Sequence, residues 1–200
     1  MADSSSTESL GAAQRAAVLG LALRSIEHGL RAGRPLDVAL DDCDPALRRK
    51  AAVFVTLHVA GELQGCIGTL EPVRPLAEEV ARCAFAAAFE DPRFVALQRS
   101  QVDDLDIHVA VLSPHEPITY VDEADLLRQL RPGVDGVLLR EEATGRQGTF
   151  LPAVWEKLPQ PAQFVRHLKM KAGLDPDAPL RGVRAWRYTV EDVGEARPQA

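Results

Sequence analysis

Cysteine is scarce in this chain: Cys43, Cys66 and Cys83 are its three thiols, and no two are close in sequence. A disulfide framework is therefore not expected, and neither is a CxxC redox or zinc pair. HExxH and any dense run of His, Cys and Asp are also missing, so no metal site is expected. The glycine patterns that cradle phosphates, GxxxxGKS/T and GxGxxG, do not occur. Without GxSxG there is no serine-hydrolase elbow. No apolar run is long enough to span a bilayer, and no membrane contact is expected. Positive charge is the minority sign, with 23 Lys and Arg against 29 Asp and Glu and a net charge of −6. Because the basic residues are also scattered, nucleic acid is not an expected partner. The opening MADSSSTE lacks the basic and apolar stretches of a secretory leader. The expected compartment is the cytoplasm, with reduced thiols.

What the chain does have is 46% hydrophobic and 26% charged residues, the balance of one globular domain. Residues 1–8 read as a disordered tail, 9–194 as a single domain and 195–200 as a loose end. Ser9 is a candidate N-cap for a helix carrying Leu10, Ala13, Ala17, Leu21, Ile26 and Leu30, closed by Gly33 and Pro35. Ala52 to Val59 alternates, with Val53, Val55, Leu57 and Val59 against Phe54, Thr56 and His58, and reads as a strand. Gly61-Glu62 is the expected turn, returning the chain as an antiparallel strand over Leu63 to Leu70. An alanine-rich helix follows from Pro75 to about Phe89. Ala84 to Ala88 are so small that it must lie close to a neighbour. Leu105 to Leu112 is a strand with Leu105, Ile107, Val109 and Val111 on one face, Asp122 to Leu130 is a helix, and Gly136–Leu139 with Gly148–Leu151 is a further strand pair. Pro161 to Ala172 is a helix in which Lys169 and Lys171 suit the negative end of the dipole. Val183 to Val190 reads as one last strand. Trp155 and Trp186 read as core or interface anchors. Hairpin-linked strands mixed with helices predict an α+β fold: mostly antiparallel sheet with packed helices, in a larger lobe plus a smaller lobe.

The densest signal is LQGCIG, Leu63 to Gly68, in which two glycines flank a thiol inside a strand. Glycine weakens a strand, so the pair marks a bulge or the close approach of another molecule or backbone. Gln64, Gly65 and Gly68 are thus candidate substrate-binding residues. Cys66 is the candidate catalytic group, a nucleophile or redox-active thiol. The plainer reading makes it a small buried residue. His58 and His108 are the candidate bases, set against ordinary hydrogen-bonded strand histidines. Whether His58 shares a face with Cys66 depends on the turn. A two-residue loop pairs position 58 with position 65, whereas a three-residue loop or a bulge brings 58 and 66 together. In EDPRF, Asp91 and Arg93 either sit at a pocket rim, with Arg93 as an anion anchor, or simply build a turn around Pro92 with Phe94 in the core.

LQGCIGTLEPVRPL, AFAAAFEDPRF, VLSPHEPI, GTFLPAVWE and KMKAGL follow one another in this order. Together they resemble the AMMECR family, and in particular its bacterial branch, AmmeMemoRadiSam system protein A. The resemblance runs from the first helix to the last aromatic strand. It implies an α+β fold with a larger, sheet-containing lobe and a smaller one. It also implies a Memo-like protein and a radical-SAM enzyme as partners in a modification pathway. It supplies no reaction and leaves any cofactor unknown. The chain departs from the family pattern at Gln64, where arginine is usual, and at His108, where an acid is common. Two function classes follow: an enzyme or enzyme component using Cys66, or a non-catalytic binding or adaptor module in which Cys66 is structural.

Overall fold

The computed structural model describes residues 9–194, so both expected tails lie outside the described residues. The elements in order are α1 (Ala12–Ala32), α2 (Pro45–Arg48), β1 (Ala52–Val59), β2 (Glu62–Gly68), α3 (Leu76–Phe89), β3 (Leu105–Leu112), β4 (Glu116–Ile118), α4 (Glu123–Gln129), β5 (Gly136–Glu141), β6 (Gln147–Phe150), α5 (Pro161–Lys171), β7 (Val183–Tyr188) and β8 (Val190–Val193). The fold is α+β, as expected. Its strands are divided between two four-stranded antiparallel sheets, ordered β2-β1-β3-β8 and β4-β7-β5-β6. The described residues form two compact units: 9–112 together with 191–194, and Ser113–Val190.

In the first unit, Val53, Val55 and Leu57 of β1 and Val109 and Val111 of β3 form a continuous apolar face. Against it pack α1, through Val18, Leu21 and Ile26, and α3, through Leu76, Val80, Cys83 and Ala87. The alternation read from β1 and β3 is this inward face. Gly11, not Ser9, is the N-cap of α1, while the Ser9 hydroxyl and the Leu10 N–H both donate to Glu191. The β1–β2 turn is Ala60-Gly61, one position before the expected Gly61-Glu62, with both residues at positive φ (50° and 88°). That is the signature of a two-residue hairpin loop, whose twist matches the strands. Alanine is strained there, so Ala60→Gly is expected to raise stability by up to about 1 kcal/mol, read as a higher urea midpoint at unchanged slope.

In the second unit, Val137 and Leu139 of β5 and Ala185 of β7 pack on Leu126 of α4 and on Phe164, Val165 and Leu168 of α5. Trp155 stacks on Phe164 at 3.7 Å between ring centroids and donates its indole N–H to Asp135 O. Trp186 is not a core anchor. It is half-buried, with the Arg184 and Arg140 guanidinium groups beside its ring. Lys169 lies in the last turn of α5, as expected, but it has a further role. Its side chain is buried, and its ammonium donates to Glu123 Oε2 at 2.5 Å and Ala178 O at 2.9 Å. The expected final strand breaks at Thr189, leaving β7 in the second sheet and β8 in the first.

Candidate functional site

Cys66 lies on β2, an edge strand of the first sheet. The Thr69 N–H donates to Val53 O at 2.8 Å, which makes Phe54 and Gly68 a non-hydrogen-bonded pair. By the alternation of an antiparallel ladder, Thr56 and Cys66 are another, and the Cys66 N–H and C=O point off the sheet edge. A side-chain clamp meets them there. Asp91 Oδ2 accepts the Cys66 N–H at 2.9 Å, and Arg93 Nη2 donates to Cys66 O at 3.0 Å. The clamp is closed on itself, because Arg93 Nε donates to Asp91 Oδ1 at 2.9 Å and Nη2 to Oδ2 at 2.6 Å. The Arg93 guanidinium, aided by the Cys66 and Arg93 N–H groups and against the cost of burial, holds the Asp91 carboxyl well below the usual carboxylate range. EDPRF builds the expected turn, and its carboxylate has a second partner. Asp91 bonds its own turn through the Arg93 N–H, yet it also reaches the strand that carries the thiol. Phe94 is only half-buried, and Leu97 fills the core in its place.

The two glycines have separate reasons. Gly65 faces α3, and a Cβ there would stand 1.9 Å from Ala87 O. The close neighbour expected of the alanine-rich helix is thus this strand. Gly65, expected at a substrate, meets the helix backbone instead. At Gly68 a Cβ would come within 2.4 Å of both the Phe54 ring and Val53 O. Just before Gly65 the ladder carries a bulge: His58 pairs with Leu63 but Leu57 with Gly65, leaving Gln64 as the extra residue. Its side-chain amide donates to Val95 O at 2.6 Å.

The bulge decides which face the thiol takes. It puts Cys66 opposite Thr56, on the side of the sheet away from α1 and α3, and the Thr56 hydroxyl donates to Cys66 Sγ at 3.2 Å. Thr56 also pairs with His108 of β3, and His108 Nε2 lies 3.2 Å from Asp192 Oδ1 of β8. One row thus crosses the sheet: Cys66, Thr56, His108, Asp192. His58 shares this face, two residues along β1 from Thr56. Neither histidine forms a direct dyad with the thiol. His108 is two strands away, roughly 10 Å at ordinary strand spacing, and His58 is on the diagonal. Thr56 and Asp192 were missed by sequence reasoning. Thr56 alternates with His58 and could have been found from the strand pattern; Asp192 has no local signal. Cys66 is partly exposed, whereas Cys83 is fully buried and its thiol is pushed up to about 12 by burial and by Glu79. Among the described residues no three His, Cys, Asp or Glu side chains converge to hold a metal. No helix among them is long and apolar enough to cross a membrane.

The fold class is α+β, with two four-stranded antiparallel sheets. The chain matches the AMMECR1 family across residues 19–193 and belongs to it. It is 39% identical over 158 residues to a protein of Methanothermobacter thermautotrophicus, covering 78% of this chain and 81% of that one. It is 37% identical over 175 residues to a protein of Thermotoga maritima, covering 85% and 92%. The crystal structure of the uncharacterized protein PH0010 from Pyrococcus horikoshii superposes with a TM-score of 0.78 at 30% identity, covering 88% of each chain.

Proposed function

We propose that this protein is a component of a modification pathway that includes a Memo-like protein and a radical-SAM enzyme, with Cys66 as its reactive group. The observation that carries the reading is the Thr56 hydroxyl donating to a partly exposed Sγ. A hydroxyl donor aimed at sulfur fixes its position and faces the charge that develops there as it attacks. In the proposed step the thiol loses its proton to water. The sulfur then forms a bond to an electrophilic carbon of the substrate, and the leaving group departs with the displaced electron pair. The clamp fixes the backbone that carries the sulfur. Arg93 stays 57% exposed, and its Nη1 has no partner among the described residues, which suits it to anchor an anionic substrate. Gln64 and Gly68 border that substrate, and His58 and His108 handle its proton steps rather than the thiol's. The pathway and its partners rest on the family resemblance.

The test is the rate of Cys66 alkylation by iodoacetamide against pH in a Cys43→Ala background. Labelling of the folded protein, slowed by Thr56→Val, is expected. Labelling only on unfolding would sink the nucleophile. It would favour the second reading, a non-catalytic adaptor, for which Leu63 (42% exposed) and Val95 (80% exposed) beside the site supply an apolar edge.

A further inference from the structure

The second unit contains a cleft of about 640 Å³, within the range that small-molecule ligands occupy. One wall is the chain leaving β4 and entering α4; the other is the segment leading into β7. β4 follows β7 only as far as Ile118 opposite Ala185. Beyond that pair the two backbones part, and it is the Tyr120 phenol that donates to Val183 O. On the far side of β7 the Glu142 N–H donates to Gly182 O at 3.0 Å, which makes Glu141 and Val183 a non-hydrogen-bonded pair. The Val183 N–H and C=O therefore both point away from β5, toward the cleft.

The walls carry opposite charge. Asp122 and Glu123 stand on the first, Arg181 and Arg184 on the second. Asp122 is occupied as the α4 cap, accepting the Asp125 N–H at 2.7 Å. Arg184 is occupied beside Trp186. Glu123 and Arg181 are the members left to meet a ligand. Glu123 is 32% exposed, with Oε2 held by Lys169. The ammonium of Lys169 also donates to Pro176 O at 3.3 Å and Ala178 O at 2.9 Å, so its donors are spent on positioning this carboxylate. The Arg181 guanidinium has no hydrogen-bond or ion-pair partner among the described residues. The half-buried Tyr120, with the small exposed parts of the core residues Ile118 and Leu180 (8% each), supplies apolar surface between the two.

We propose that this cleft binds a short zwitterionic peptide of the size of an apolar dipeptide. Its ammonium is recognised by Glu123, its carboxylate by Arg181 and the Val183 N–H, and its side chains by Ile118, Tyr120 and Leu180. The site lies within the second unit, and the proposal does not depend on the role of Cys66.

The experiment is a calorimetric titration of the intact protein with Leu-Leu, N-acetyl-Leu-Leu and Leu-Leu amide. Leu-Leu is expected to bind, with each single-ended cap weakening it at least about tenfold, as loss of a charged hydrogen bond does. Arg181→Gln, at an exposed residue, is expected to weaken Leu-Leu to the same degree while leaving the thermal midpoint unchanged. No heat of binding up to about 10 mM Leu-Leu, equal binding of the capped peptides, or unchanged binding by Arg181→Gln would each overturn the proposal.

Discussion

Asp91→Ala is expected to cost about 2–3 kcal/mol, a large share of the stability of an ordinary domain. The side chain is 2% exposed and accepts from three places at once: the Cys66 N–H, the Arg93 N–H and the Arg93 guanidinium. Removing it leaves the outward N–H of Cys66 without its acceptor. The Arg93 side chain is 57% exposed and recovers water, which keeps the loss below that of breaking a fully buried ion pair. The pH dependence has a definite sign. The Asp91 carboxyl titrates below its unfolded value, so its contribution is fully present above about pH 4 and is lost as pH falls further, toward its folded value. Urea midpoints of the wild type and Asp91→Ala should therefore differ by a constant amount near neutrality and converge in acid. A constant gap down to the lowest accessible pH would show that the carboxylate is not what stabilises the edge.

Gly65→Ala is expected to be worse, at more than about 3 kcal/mol or outright failure to fold. The added methyl would stand 1.9 Å from Ala87 O and 2.9 Å from Ala87 C, and both are backbone atoms that no rotamer change can move. The only relief is to lift α3 from β2, which opens the contact that buries Ala84, Ala87 and Ala88. Thermal unfolding of the variant, compared with wild type, reads this directly. A midpoint within a few degrees would mean that the helix sits farther from the strand than described here.

Local pattern carried most of the first unit. The valine alternation of β1 and β3 and the small residues of α3 each report a face or a distance that neighbours in sequence determine. The register of β2 was legible only as alternatives, because one extra residue reverses every side chain beyond it. The bulge at Gln64 is what brings Cys66 to the side of Thr56 and His58. The clamp was harder to see. EDPRF announces a turn, but nothing near it says that its carboxylate spans 25 positions to an amide of β2. The further role of Lys169 was hidden for the same reason. Two lysines at a helix end look like a dipole effect until Glu123, 46 positions earlier, is brought beside one of them. β4 was hidden by its proline, which an edge strand tolerates. The break at Thr189 was hidden because the alternation continues across it into another sheet.

That break has a consequence for how the chain is made. Ser113–Val190 is an insertion, and β8, which closes the first sheet beside β3, comes only after it. During synthesis β1, β2 and β3 leave the ribosome before β8, the strand that flanks β3, and Arg15 before Glu191, its partner at 2.5 Å. The Cys66–Thr56–His108 row gains Asp192 last of all, so this face is completed only after the entire second unit has been translated.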